Sequence, residues 1–149
     1  MSKKLEMFTD GACSGNPGSS GIGVVIKHHG KIIKEISKSI GQATNNIAEY
    51  MALIYGLQEG LILRAEKVTV YTDSELLYNQ VRGHFKVKDE KIIPLHAQIK
   101  HLLGGFKYFE IKFVTRDKNK EADRLAKKAL STDRQNLKEE QAKVVAFPS

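Results

Sequence analysis

The sequence predicts an α/β domain on a mixed five-stranded sheet, and three observations carry that prediction. Three β-patterned runs follow one another at the start of the chain, with only short polar connections between them. The later β-patterned runs each come after a stretch whose apolar residues recur at helical spacing. Two of the strand-like runs lead straight into an aspartate, in "MFTDGACSG" and "VTVYTDSEL", although strands of this pattern are heading for a core.

Taken in order, the pattern predicts strands over residues 5–12, 21–27 and 31–40, the second and third joined by the tight "HHGK" turn in which Gly30 can take a positive φ. These three form an antiparallel meander. Over residues 46–63 the apolar positions Ile47, Met51, Ile54, Leu57 and Leu61 recur at steps of three and four, which predicts an amphipathic helix with one face on the sheet. "KVTVYT" predicts a fourth strand, followed by a short helix over residues 75–82 and a polar loop, "GHFKVKDE". A helix over 92–103 stops at "GG", a fifth strand covers 108–114, and a last helix covers 119–130. The helix between the third and fourth strands lets the fourth return parallel to the first by a right-handed crossover. Asp10 and Asp73 then both lie at the carboxyl ends of neighbouring parallel strands, where open α/β sheets place their ligand sites.

At 149 residues the chain is long enough for one domain with a core that needs no staple. Its apolar stretches are interrupted every few residues by Lys, Glu or Gly, short of the ~20 residues of a membrane span. The opening residues do not read as a signal peptide, and the single cysteine, Cys13, has no partner for a disulfide or a metal-binding pair. The expectation is a cytoplasmic, monomeric protein with no membrane partner. Residues 82–128 carry 13 Lys/Arg against 6 Asp/Glu, so the whole net charge of +7 lies in one third of the chain. That is either a solvated surface or a face for nucleic acid.

Each acid near the expected sheet edge also has an ordinary explanation. Asp10 before Gly11 could start a turn, Asp73 could cap the helix that begins near Ser74, and Glu49 stands three residues after Asn46, the spacing of a capping box. Asp123, early in the last helix, suits the helix dipole. Glu49, however, lies about 200° around the helix from both Ile47 and Met51, off the apolar stripe and free to point over the sheet edge. Clustered carboxylates repel one another, which stability alone would avoid. A bound cation accounts for the cluster: carboxylates are hard oxygen ligands suited to Mg²⁺ or Mn²⁺, and beside a basic surface they point to phosphodiester chemistry.

The runs "FTDGACSGNPG", "TNNIAEYMAL", "VTVYTDSELL" and "NKEADRLAKKA", in this order and at these spacings, resemble the type 1 ribonuclease H family, and the resemblance covers roughly residues 5–130. It implies a ribonuclease H-like fold, a mixed five-stranded sheet with helices on both faces, over a catalytic domain of residues 1–130, with a tail over 131–149 whose "VVAF" could dock on the domain. It implies endonucleolytic cleavage of the RNA strand of an RNA–DNA hybrid, leaving 5′-phosphate and 3′-hydroxyl ends. The family's four catalytic and metal-binding acids map to Asp10, Glu49, Asp73 and Asp123. Two Mg²⁺ ions ~3.5 to 4 Å apart, with Mn²⁺ as a substitute, would flank the scissile phosphate. Asp10 and Asp73 are expected to be shared most closely between them, with Glu49 on the nucleophile side near the 2′-hydroxyl and Asp123 on the other.

By the same resemblance Asn16, Asn45 and Asn46, with the backbone of Cys13, Ser14 and Gly15, and also Ser74 and Arg116, would contact the substrate. The 2′-hydroxyl is what distinguishes RNA, and an amide can both donate to it and accept from it. "GNPG" is equally a turn sequence, Asn46 a possible helix cap, and Cys13 a small packing residue. Two departures from the best-studied bacterial pattern stand out. Only a short loop joins the helices near residues 82 and 92, so a long basic protrusion is missing and Lys86, Lys88 and Lys91 are left to compensate. The loop "VTRDKNKEAD" has Arg116 where many members carry a histidine. The alternatives are a non-catalytic hybrid or double-stranded RNA-binding module of the same fold, which would be expected to have lost an acid, and a related exonuclease, which would carry a Glu where Ala12 stands.

Overall fold

The computed structural model describes residues 3–131. β1 (Lys4–Gly15), β2 (Gly18–His28) and β3 (Lys31–Ala43) form the antiparallel meander, and α1 (Asn45–Ile62) crosses over to β4 (Lys67–Thr72). Then come α2 (Glu75–Val81), α3 (Ile93–Leu103), β5 (Tyr108–Phe113), a 3₁₀ turn (Arg116–Lys118) and α4 over residues 120–131. The sheet order is β3-β2-β1-β4-β5, with β1, β4 and β5 mutually parallel. The predicted mixed five-stranded sheet is the observed one. Helix α4 includes residue 131, the first of the expected tail, and the remainder of that tail lies outside the described residues.

Alternation sorts each strand's side chains onto two faces. Leu5 and Met7 of β1, Val24 and Ile26 of β2, Val68 and Val70 of β4 and Ile111 of β5 pack beneath Tyr50, Leu53 and Leu57 of α1, with Ile99 of α3 in the same cluster. Each fully buried aliphatic side chain there contributes about 1.5–3 kcal/mol. On the opposite face α4 lays Ala122, Ala126 and Ala129 over β2, so helices do cover both faces. His29 and Gly30 both have positive φ, 53° and 77°, which is the primed turn expected between β2 and β3.

The first three strands run further than their apolar patterns. Small polar residues beyond Ala12 keep pairing, Cys13 with Ser20 and Ser14 with Ser19, up to a hairpin tip at Asn16 and Pro17. Asp10 therefore does not end β1. What ends beside it is β4: the parallel ladder closes with Thr9 opposite Thr72. The buried face of α1 also differs from the apolar stripe. Ala48, Leu53, Gly56 and Gly60 are buried while Ile47, Met51 and Leu61 are only half-buried, because α1 is covered by the sheet on one side and by α3 on another.

Candidate active site

Beyond the Thr9 and Thr72 pair, the next residue of each strand is an aspartate, and the two carboxyl groups leave the sheet at one edge. Asp10 is 5% exposed. Asp73 keeps only 7% of its side chain in solvent. Helix α1 supplies the third acid, and a glycine brings it close: a Cβ at Gly11 would stand 2.5 Å from the Ala48 carbonyl carbon and 2.6 Å from the Glu49 nitrogen. With no side chain at that position, β1 passes directly against the first turns of α1.

The ordinary explanations for these acids do not apply. Thr44, not Asn46, is the N-cap of α1, its hydroxyl accepting from the Ile47 N–H at 3.2 Å, so no capping box occupies Glu49. Ser74, not Asp73, caps α2, accepting from the Leu77 N–H at 3.1 Å. The three side chains converge instead, with one carboxylate oxygen each of Asp10, Glu49 and Asp73 lying within 4.8 Å of one another. Glu49 Oε2 and Asp73 Oδ2 are buried without a hydrogen-bond partner.

Electrostatics records the strain of that convergence. Burial first, and the neighbouring Asp73 charge second, push the Asp10 carboxyl up to about 8. Burial, followed by the charge of Asp10, holds Glu49 well above the usual carboxylate range. Hard oxygen donors facing one point, with two buried lone-pair sites unsatisfied, fit a divalent cation of the Mg²⁺ or Mn²⁺ class.

Asp123 lines the same cleft, of about 490 Å³, but stands outside the tight trio. Its position follows from α4 and β2: a Cβ on Gly23 would stand 2.0 Å from the Ala122 carbonyl oxygen, so only glycine lets the helix settle there. Lys127, one turn on, places Nζ 3.0 Å from the Asp123 carboxylate. Arg116, with its side chain 87% exposed, brings Nε to 4.0 Å from Asp73 Oδ2.

Of the residues expected to contact substrate, Cys13, Asn45, Asn46, Ser74 and Arg116 line the cleft together with the four acids. Asn46 Oδ1 is buried and unpartnered there. Ser14, Gly15 and Asn16 sit beside the cleft at the hairpin tip, which is tied to α1 where Asn16 Oδ1 accepts from the Asn45 N–H at 3.1 Å. The Cys13 thiol donates to the Ala43 carbonyl at 3.1 Å and accepts from the Ser20 hydroxyl at 3.2 Å, which gives it a packing role. Residues 82–92 contain no regular element, and Lys86 shares a separate groove at the far end of α2 with Arg82, Phe85 and Lys100.

Sequence reasoning missed two residues of the site. Lys127 was legible as a cation four residues after Asp123. Asn119 had no local signal beyond a place at a helix start. Its side-chain Nδ2 donates to the Thr9 carbonyl at 2.9 Å, across 110 positions of chain.

Comparison with known proteins places the chain clearly. A family model described as "Reverse transcriptase-like" matches residues 8–129. The "Bifunctional protein" of Mycobacterium tuberculosis is 37% identical over 150 residues, covering 98% of this chain and 41% of that protein. The chain thus spans less than half the length of its mycobacterial relatives. The crystal structure of RNase H1 from Halobacterium salinarum superposes with a TM-score of 0.85 at 35% identity, covering 87% of this chain and 98% of that one. LC11-RNase H1, solved in complex with an RNA/DNA hybrid, superposes with a TM-score of 0.82 at 36% identity over 87% of this chain and 98% of its own.

Proposed function

The chain belongs to the type 1 ribonuclease H family, and on that premise we propose that it is an endonuclease that hydrolyses the RNA strand of RNA–DNA hybrids, leaving 5′-phosphate and 3′-hydroxyl ends. The observation that carries the reading is the convergence of Asp10, Glu49 and Asp73 with their oxygens within 4.8 Å, none of them used as a cap. Similarity to an RNase H1 solved with an RNA/DNA hybrid supports the substrate class.

Asp10, Glu49 and Asp73 would hold a divalent cation, and Asp123 would complete the set for a second one. When bound there, Mg²⁺, or Mn²⁺ in its place, would supply an activated water and charge neutralisation for the departing 3′ oxygen. The chain's own residues orient the substrate. Asn46, with an unpartnered Oδ1 in the cleft, is placed to accept from a 2′-hydroxyl. Asn45 and Ser74 face the same space, and the Asn16 side chain holds the hairpin tip that carries the Cys13, Ser14 and Gly15 backbone beside it. Arg116 offers a mobile-length cation to a phosphate beside Asp73. Arg82, Lys86 and Lys100 extend the basic surface along α2, in keeping with a duplex lying across the cleft. A cytoplasmic location and a monomeric state belong to the same proposal.

Asp73→Asn tests the reading against a non-catalytic binding module. Loss of cleavage with hybrid binding retained supports the enzyme. Unchanged cleavage in Asp73→Asn contradicts it.

A further inference from the structure

Asn119 is 1% exposed and lies at the junction between the 3₁₀ turn and α4. It makes three hydrogen bonds, and each reaches a different part of the cleft. Its N–H donates to the Arg116 carbonyl at 3.0 Å, its C=O accepts from the Asp123 N–H at 3.1 Å, and its Nδ2 donates to the Thr9 carbonyl at 2.9 Å. The Thr9 carbonyl belongs to the peptide group whose nitrogen is that of Asp10. One side chain therefore joins the backbone at Asp10 to the start of the helix that carries Asp123.

Elsewhere α4 meets the meander at β2 and β3: Ala122, Ala126 and Ala129 pack on Gly21 and Gly23, the Ser37 hydroxyl donates to the Leu125 carbonyl at 2.7 Å, and exposed ion pairs join Lys27 to Glu121 and Arg124 to Glu35. The Asn119 bond, by contrast, reaches β1, the strand that carries Asp10. Packing of small residues sets how near a helix lies, but it resists sliding and rotation about the axis weakly, since dispersion contacts have little directionality. A buried amide hydrogen bond is directional and does resist them. The amide is only half used: Nδ2 satisfies the Thr9 carbonyl, which an aliphatic side chain would leave without that donor, while Oδ1 is buried without a hydrogen-bond partner. A stability role and a positioning role are therefore separated by experiment.

We infer that Asn119 is a positioning residue, which fixes Asp123 relative to Asp10 and thereby sets the affinity of the cleft for divalent cations. It touches neither substrate nor cation; it acts through the Thr9 peptide and the first turn of α4. The inference rests on the reading of the cleft as a divalent-cation site, so its primary readout is cation binding rather than cleavage.

Mn²⁺ binding to the full chain is measured by titration calorimetry for wild type, Asn119→Ala, Asn119→Ser and Ala129→Gly, alongside melting temperature and hybrid-cleavage kinetics. Ala129→Gly weakens α4 at its far end and serves as the control for stability. Asn119→Ser keeps a helix-start hydroxyl too short to reach Thr9 and stands in should Asn119→Ala not fold. The expected result is Mn²⁺ affinity lowered about 10-fold in both Asn119 variants, with kcat falling by a similar factor and KM unchanged. In Ala129→Gly the melting temperature falls while Mn²⁺ affinity holds. Affinities within about twofold of wild type in the Asn119 variants overturn the inference, as does an equal loss in Ala129→Gly. A wild-type protein that binds Mn²⁺ but cuts no hybrid defeats the proposed activity and leaves this comparison intact, whereas one that binds no Mn²⁺ overturns both.

Discussion

Asp10 within β1 and Asp73 just past the end of β4 occupy equivalent places on two neighbouring parallel chains, each one residue beyond the Thr9 and Thr72 pair that closes the ladder between them. Their carboxylates, joined by Glu49 from α1, face one point. The arrangement opposes folding unless a cation or protons neutralise it, and this opposition can be measured.

The cation-free protein should lose stability as pH rises. The Asp10 carboxyl is raised to about 8 by burial and by Asp73, whereas the unfolded chain titrates near 3.9. Between those values the native state binds more protons than the unfolded state, so its advantage is full below about pH 4 and is lost as pH rises through about 8. Asp10→Asn removes this term and should raise melting temperature in EDTA at pH 8 by several degrees, with a smaller rise at pH 5. Thermal melts at the two pH values check it. Parallel pH profiles for wild type and variant would contradict the electrostatic account.

Gly23→Ala should harm the site through packing. A methyl group there would stand 2.0 Å from the Ala122 carbonyl oxygen, so α4 has to move. The expected cost is about 1–3 kcal/mol in denaturant midpoint, with hybrid cleavage impaired further because Asp123 moves with the helix. Stability and cleavage both at wild-type levels would mean that α4 is not held where the structure places it.

Lys127→Gln should lower the Mg²⁺ concentration needed for half-maximal cleavage. Lys127 Nζ sits 3.0 Å from the Asp123 carboxylate, in competition with any second cation. An exposed pair at this helical spacing contributes about 0.3–0.5 kcal/mol, which corresponds to a shift of about twofold. A Mg²⁺ titration of the cleavage rate reads the shift directly. An unchanged or increased Mg²⁺ requirement would show that Lys127 does not compete.

Asn46→Ala should weaken hybrid binding without destabilising the fold. Its Oδ1 has no partner within the protein, so its removal breaks no internal hydrogen bond at that atom. Loss of one hydrogen bond to a substrate 2′-hydroxyl predicts a KM raised about 5- to 10-fold, at constant melting temperature. A fall in melting temperature with KM unchanged would make Asn46 a structural residue.

The sheet and the placement of Asp10, Glu49 and Asp73 could be read from the chain because they follow from local patterns: alternation, helical periodicity, and acids directly after apolar runs. The features that escaped were those fixed by distant parts of the chain. Cys13 and Ser14 carry little intrinsic strand preference and are extended because β2 runs beside them. Ala48, Gly56 and Gly60 are buried because α1 is covered from two sides, which blurs a single apolar stripe. Thr44 outcompeted Asn46 as the cap of α1, a shift of two residues that freed both Asn46 and Glu49 for the cleft. The bond from Asn119 to Thr9 spans 110 positions and leaves no mark in any local window.

The central claim is tested most directly by one end-labelled RNA, offered with Mg²⁺ to the wild-type protein as an RNA–DNA hybrid, as duplex RNA and as a single strand. Internal cuts confined to the hybrid, ending in 5′-phosphate and 3′-hydroxyl groups, are the predicted result. Binding of the hybrid with no cutting of any of the three forms would contradict the claim, and would require another reason for Asp10, Glu49 and Asp73 to face one another.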